Sequence, residues 1–380
     1  MPPWMPSRQN LPLKNDRSLS DSEIATIAAW AGDGAPLGDP DDNAPAPTEG
    51  VGLVEIRADL TLQLDEPYLP DADLLDDYRC FAYPLDIDAP QFITGYDIVP
   101  EALEMAHHAL VYVLEASAWT LAEAKASEDG KPGWQCYGGP GLRQRARSIG
   151  GWTPGAFGVE LPPGGGHRIE PSQFIVLQMH YNLWTTRQPD NTRILLQLAD
   201  GAAELDELTI MSLAAPVEIP CPAGVEGPQC EREAALQRVG ELYGDFASRF
   251  PNNLLRICSQ TVADYADNKG ERSIGQCDFP LRNDATLYGV FGHMHELGRS
   301  FRMTLNPEGE NPVILLDIPR WDFHWQDSYQ FVEPLTLKPG DLLRMECVWD
   351  NRKADAPRYV VWGEGTSDEM CFATVLAQPG

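Results

Sequence analysis

The chain has 380 residues, 43% hydrophobic and 22% charged, which at about 150 residues per domain is enough for two or three domains with buried cores. Its 57 Asp and Glu outnumber its 28 Lys and Arg, giving a formal charge of −29. That excludes a nucleic-acid binder, which needs clustered cations, and leaves a solvated acidic surface that would attract cationic small molecules. No run reaches the roughly 18 apolar residues of a membrane-spanning helix. The start, MPPWMPSRQN, has neither the basic nor the apolar stretch of a signal peptide, so a leader has been removed or the chain is a piece of a longer one.

Residues 1–46 read as a separate segment. Ser20 and Glu23 form an S-x-x-E capping box, and Ile24, Ile27, Ala28 and Ala31 follow at helical spacing. Gly32, Gly34 and Pro36 end the helix, and the Pro/Asp-rich stretch 38–50 is a linker. Met1-Pro2-Pro3-Trp4 and LSDSEIATIAAWAGDGAP resemble the C-terminal end of a class I c-type cytochrome. In that family such a Met is an axial ligand and such a helix packs on the haem. No CxxCH occurs in the chain, so this piece cannot hold haem covalently by itself.

Short strand-like runs broken by Pro and Gly fill the rest. LVEIRADLTLQL, FITGYDIVP, ALVYVLEA, FIVLQMHYNLW and TRILLQLAD mark a unit over 47–210. LTIMSLAAPVEI, ATLYGVFGHMH, SFRMTLN, PVILLDI and DLLRMECVWDN mark another over 211–380. Such spacing predicts β-sandwiches, and the absence of alternating helices excludes a doubly wound or α/β-barrel architecture. One helical stretch, residues 231–250, interrupts the second unit among Cys221, Cys230, Cys258 and Cys277. Eight cysteines with no CxxC pair point to disulfides in an oxidising compartment, periplasmic or extracellular, rather than to zinc. Proximity in sequence suggests Cys221–Cys230 and Cys258–Cys277.

Five of the seven histidines fall in three tight contexts. In GVFGHMHELG, His293 and His295 share one face of a strand while Met294 points the other way into a core. In MAHHALVYVL, the adjacent His107 and His108 face opposite sides unless the backbone is irregular there. His180 lies in the apolar strand FIVLQMHYNLW. Three histidines thus belong to the first half and two to the second, whose third ligand is either His324 or Met370 of TSDEMCFATV. A thioether is a soft ligand that selects Cu(I), so a His₃ set with a His₂Met set indicates redox copper.

AHHALVY, GWTPGA, LQMHY, GHMHELGR, WDFHWQ, LKPGDLLRMECVWDN and SDEMC run in order across residues 50–375. Together they resemble the copper type II, ascorbate-dependent monooxygenase family, which includes peptidylglycine α-hydroxylating and dopamine β-monooxygenases. The resemblance implies an all-β chain of two antiparallel jelly-roll-like sandwiches, with the short helical N-terminal segment and the helical insertion added. It implies two coppers per chain: an electron-transfer ion on His107, His108 and His180, and an oxygen-activating ion on His293, His295 and Met370. It further implies an open, watery cleft between the sandwiches, Gln178 close to the electron-transfer ligands, and disulfides Cys80–Cys136 and Cys347–Cys371.

The substrate region departs from the peptide-hydroxylating members. They carry an Arg two residues before the HxH pair, and Asn and Tyr two and four residues after the Met; here these are Phe291, Phe372 and Thr374. The expected activity is O₂-dependent hydroxylation of a C–H bond in a small neutral or cationic substrate whose apolar body meets Phe291 and Phe372. The two external electrons come from ascorbate or a c-type cytochrome domain. The competing readings are a non-catalytic copper carrier or sensor of the same fold, and a β-sandwich binding module with incidental histidines.

Overall fold

A computed structural model describes residues 4–38 and 54–380, except 143, 145 and 366. Met1–Pro3 and almost all of the predicted linker, with the expected boundary at 46/47, lie outside the described residues. The helices are α1 (Asp21–Gly32), α2 (Trp119–Ala126), α3 (Arg232–Tyr243) and α4 (Asp245–Ile257); the rest of the regular structure is β-sheet with short 3₁₀ turns. The architecture is all-β.

Two sheets make up the first half. One orders Leu60–Leu62, Arg193–Asp200, Gln91–Val99, Gly165–Ile169 and Asp206–Glu207, with Val159–Glu160 beside Gln91–Val99. The other orders Trp134–Gln135, Asp76–Pro84, Phe174–Asn182, Ala106–Leu114 and Arg147–Trp152. Ile93, Tyr96, Ile98, Ile194 and Leu196 of the first pack on Val111, Val113, Leu177, Met179 and Tyr181 of the second. Strand residues alternate between faces, so Leu177, Met179 and Tyr181 enter this core while Gln178 and His180 point to the opposite side. That side is also covered: Phe174 and Val176 pack with Cys80, Trp134 and α2 in a second cluster. Phe174–Asn182 is therefore buried along nearly its whole length.

Two four-stranded sheets and a two-stranded one, Glu218–Ile219 with Val360–Val361, make up the second half. Thr209–Ala214, Phe372–Pro379, Ala285–His293 and Ser328–Leu337 form one; Ser273–Pro280, Leu342–Trp349, Gly298–Leu305 and Val313–Ile318 form the other. Val290, Ala373 and Val375 meet Phe301, Met303, Met345 and Trp349 between them. The insertion read from sequence as one helix is a hairpin of two, α3 and α4. Gly244 separates them at φ +89°, a conformation that favours glycine.

The four disulfides are Cys80–Cys136, Cys221–Cys230, Cys258–Cys277 and Cys347–Cys371, as expected. No helix among the described residues is long and apolar enough to cross a membrane. The N-terminal segment divides in two. Helix α1 carries the capping box and buries none of its residues. The stretch before it lies along the second sandwich: Ser7 N donates to Asp317 O, Leu11 N to Ile314 O and Lys14 N to Gln330 O. Trp4 meets the Tyr329 ring edge-on, and Arg17 pairs with Asp327 at 2.7 Å.

Candidate metal centre

Local backbone geometry brings the first-half histidines together. The pairing of Ala106–Leu114 with Phe174–Asn182 shifts register between Ala106 and His108, so Ala106 faces Tyr181 and His108 faces His180. His107 is the extra residue of this β-bulge, and a bulge re-aims its side chain. Neighbouring histidines thereby reach one place. The ring centroids lie 4.3 Å (His107–His180), 4.9 Å (His108–His180) and 5.3 Å (His107–His108) apart. One nitrogen of each falls within 4.8 Å of the other two, the spacing a single ion requires.

His293 closes its strand and His295 follows it, with ring centroids 5.0 Å apart, while Met294 is fully buried in the core. Met370 is 8% exposed and lines a cavity together with His293. His324 does not join them: its side chain is 79% exposed and turned to Asp322.

The two sets meet, which corrects the expectation of an open, watery cleft between them. His107 lies 6.2 Å from His295, and His108 lies 6.2 Å from His293, ring to ring. Phe323 covers the junction, 5.1 Å from His107 and 6.1 Å from His295. The Phe323 ring, set against a ring of each set, accounts for the closure. His180 and His295 are fully buried, and His107 and His293 nearly so.

Hydrogen bonds fix the outer nitrogens. His180 Nε2 is 2.9 Å from Asp76 Oδ1, His293 Nδ1 is 2.6 Å from Gln326 Oε1, and His295 Nδ1 is 3.1 Å from Asp368 O. Each arrangement directs a ring N–H to an oxygen and leaves the other nitrogen's lone pair facing inward. His180 Nδ1, His295 Nε2 and His107 Nε2 are buried with no hydrogen-bond partner among the described residues. Orphaned buried polar atoms are uncommon in folded proteins, and here they converge as a ligand set does. Burial, reinforced by the neighbouring imidazoles, holds His107, His108 and His295 well below the ordinary histidine range. Burial also lowers His293 to about 4, against the Gln326 hydrogen bond. Neutral imidazoles are the metal-binding form.

Several contributors carried no sequence signal of their own. Glu369 accepts from His295 N (3.0 Å), Leu297 N (2.6 Å), Trp349 Nε1 (2.9 Å) and Met370 N (3.3 Å), tying the HxH loop to the Met370 strand. Burial pushes its carboxyl up to about 8, against four donors that favour the anion. Gln326 and Phe323 sit in the WDFHWQ stretch, whose motif was visible but whose roles were not. Tyr78 stacks on His180 at 4.1 Å.

A cavity of about 600 Å³ opens beside His108, His293 and Met370, bounded by both halves. Phe291, Phe372 and Thr374 line it, and the Phe291 ring stacks 6.1 Å from His293. Gln178 also lines it, donating to Cys136 O at 2.6 Å with its Oε1 3.5 Å from Tyr112 OH.

Residues 271–376 match the family model described as copper type II ascorbate-dependent monooxygenase, C-terminal domain. The DBH-like monooxygenase protein 2 of Mus musculus is 22% identical over 96% of this chain and 54% of its own length. The DBH-like monooxygenase protein 1 of Gallus gallus is 32% identical over 24% of this chain and 15% of its own. The chain thus spans about half, or less, of the length of these relatives. A solved structure of PNGF-II aligns over 84% of this chain and 65% of that one, at 8% identity and a TM-score of 0.32, too remote to carry an argument.

Proposed function

We propose, from the match of residues 271–376 to the C-terminal domain of the copper type II, ascorbate-dependent monooxygenase family, that this chain hydroxylates a C–H bond of a small neutral or cationic substrate with O₂ and two external electrons. The observation that carries the reading is the convergence of unpartnered ring nitrogens from both halves beside one apolar cavity. Two coppers per chain fit the donors: one with His107, His108 and His180, one with His293, His295 and Met370. Copper so held supplies the redox chemistry that activates O₂.

The protein's own residues prepare that chemistry. Asp76 orients His180 and strengthens it as a donor, and Gln326 and the Asp368 carbonyl do the same for His293 and His295. The Met370 thioether favours the reduced ion. Phe323 keeps water from the junction. Phe291 and Phe372 offer an apolar substrate body a surface beside His293, and neither can pair with a carboxylate. Gln178 lines the cavity two residues before His180, where it would serve the electron-transfer side. Ascorbate is the reductant the family favours; a c-type cytochrome donor rests on the N-terminal resemblance alone. Four disulfides support an oxidising compartment, and we assign the chain to the periplasm or the exterior. The units 47–210 and 211–380 are the proposed copper domains, with 1–46 as an appendage.

Metal analysis of copper-loaded protein tests this reading. Wild type should hold about two coppers, and His107→Ala and His295→Ala should each lose one, with O₂-dependent hydroxylation lost in both. Two coppers and full turnover in either variant would overturn the assignment. Copper bound with no O₂ consumption under any reductant would favour the carrier reading.

A further inference from the structure

The cavity beside the histidines has a wall that the paired sandwiches do not supply. Helix α4 contributes Phe250, Leu254 and Ile257 to its lining. Phe250 packs 4.5 Å from Trp362, which lines the same space. Two disulfides, Cys221–Cys230 and Cys258–Cys277, bracket the hairpin, and Cys258 caps α4 itself. The hairpin also reaches the first half, where the Tyr243 ring stacks on Tyr137 at 4.3 Å. At the rim, Ile257 is 62% and Phe157 42% exposed.

Among the described residues, the carboxylates that line this apolar space are Asp327 and Glu364. Asp327 is neutralised by Arg17 at 2.7 Å. Glu364 has no cation within ion-pair distance among the described residues, and its carboxylate accepts one hydrogen bond, from Gly138 N at 3.0 Å. Its backbone is held in place: Tyr78 OH donates to Glu364 O, and Glu364 N donates to Tyr137 OH. Burial pushes the carboxyl up to about 7. A carboxylate at the edge of an apolar cavity gains from a hydrogen-bond donor or cation brought to it, and Glu364 lines this cavity as such an acceptor.

We infer that the α3–α4 hairpin and Glu364 select the substrate: Phe250 and Leu254 hold a bulky apolar body, and Glu364 accepts a hydrogen bond from a hydroxyl or ammonium at its polar end. A cavity of about 600 Å³ is within the range that encloses a whole small molecule. Above about pH 7, where the test is run, a carboxylate at the same end meets an ionised Glu364 as a like charge. The inference rests on the monooxygenase reading for its consequence, turnover, but binding is separable from it.

The test is calorimetric titration of the copper-free chain with naphthylethylamine, naphthylethanol, naphthylacetic acid and ethylnaphthalene. In wild type the amine and the alcohol should bind about tenfold or more tighter than the hydrocarbon, a charge-assisted hydrogen bond being worth that much, and the acid should bind weakest. An advantage of the amine over the alcohol identifies an ammonium as the natural head group; the reverse identifies a hydroxyl. Glu364→Gln should abolish the amine's advantage and relieve the acid's handicap. Phe250→Ala should weaken all four by a similar factor, roughly five- to tenfold, and Ile257→Ser, on an exposed side chain that the core does not need, by roughly threefold. Equal affinity of the four compounds for wild type overturns the inference with no variant required, as does Glu364→Gln leaving their order unchanged. Copper content measured on the same protein shows separately whether the monooxygenase reading stands.

Discussion

Replacing Glu369 by Gln should loosen one metal set and spare the other. Oε2 takes the N–H groups of His295, Trp349 and Met370, and Oε1 takes that of Leu297 at 2.6 Å. A Gln that keeps its oxygen at the three-donor side turns its NH₂ towards Leu297 N–H, so two donors face each other in a fully buried place. Leaving one buried donor unsatisfied costs about 1–3 kcal/mol, and above about pH 8, where the carboxyl is ionised, the three remaining bonds also lose their charge assistance. The total of about 2–4 kcal/mol corresponds to a fall in Tm of roughly 5–15 °C for a unit of this size. His295 and Met370 both hang from this carboxylate, whereas His107, His108 and His180 do not touch it. Thermal unfolding of the copper-free chain and competitive copper titration measure the two effects. Glu369→Gln should weaken one of the two coppers by at least the tenfold typical of outer-shell changes and leave the other near wild type. Unchanged stability, or equal weakening of both coppers, would refute the argument that Glu369 braces the His293/His295/Met370 set.

Gln326→Leu removes the partner of His293 Nδ1 and should lower copper affinity at that set about 10- to 100-fold, read by the same titration. His167 is fully buried, bonded through Nδ1 to Leu208 O at 2.8 Å, and burial lowers it to about 4. Because the folded chain prefers its neutral form, its contribution is complete above about pH 6.5 and is lost as pH falls from there through 4, about 3 kcal/mol in all. His167→Asn, which can keep the hydrogen bond to Leu208, should flatten the acid limb of a stability–pH curve by that amount relative to wild type; superimposable curves would exclude the assignment. Breaking Cys347–Cys371 with paired Ser substitutions opens a loop of sequence separation 24 and should lower stability by roughly 3–4 kcal/mol on the chain-entropy account, checked by denaturant unfolding.

Much of the metal centre was legible because strand geometry is simple. The two-residue alternation put His293 and His295 together and sent Met294 inward, and the structure does the same. The His107–His108 pair posed a definite question, since regular pleating would separate the rings, and the bulge at His107 answers it. What strand periodicity cannot give is how two sandwiches dock, and the meeting of the two histidine sets is a property of docking. Asp76 and Glu369 were hidden for a different reason: in a chain of 57 acidic residues a single buried carboxylate has no local signature. The hairpin read as one helix because hydrophobic spacing runs on past Gly244, and only a positive φ there parts α3 from α4.

Phe174–Asn182 has no outside. Most residues of a sandwich strand answer to one core and leave the other face free to drift, but here every substitution must satisfy two neighbourhoods at once. Gln178 and His180 are therefore written into the stretch of chain least able to vary. The hairpin on the far wall of the cavity is anchored at its ends by disulfides and seated through α3, whose Arg232 pairs with Glu218 and whose Ala235, Leu236 and Val239 pack with Val361. The cavity-facing side chains of α4, Phe250 and Ile257, can change what the cavity accepts while the histidines stay as they are.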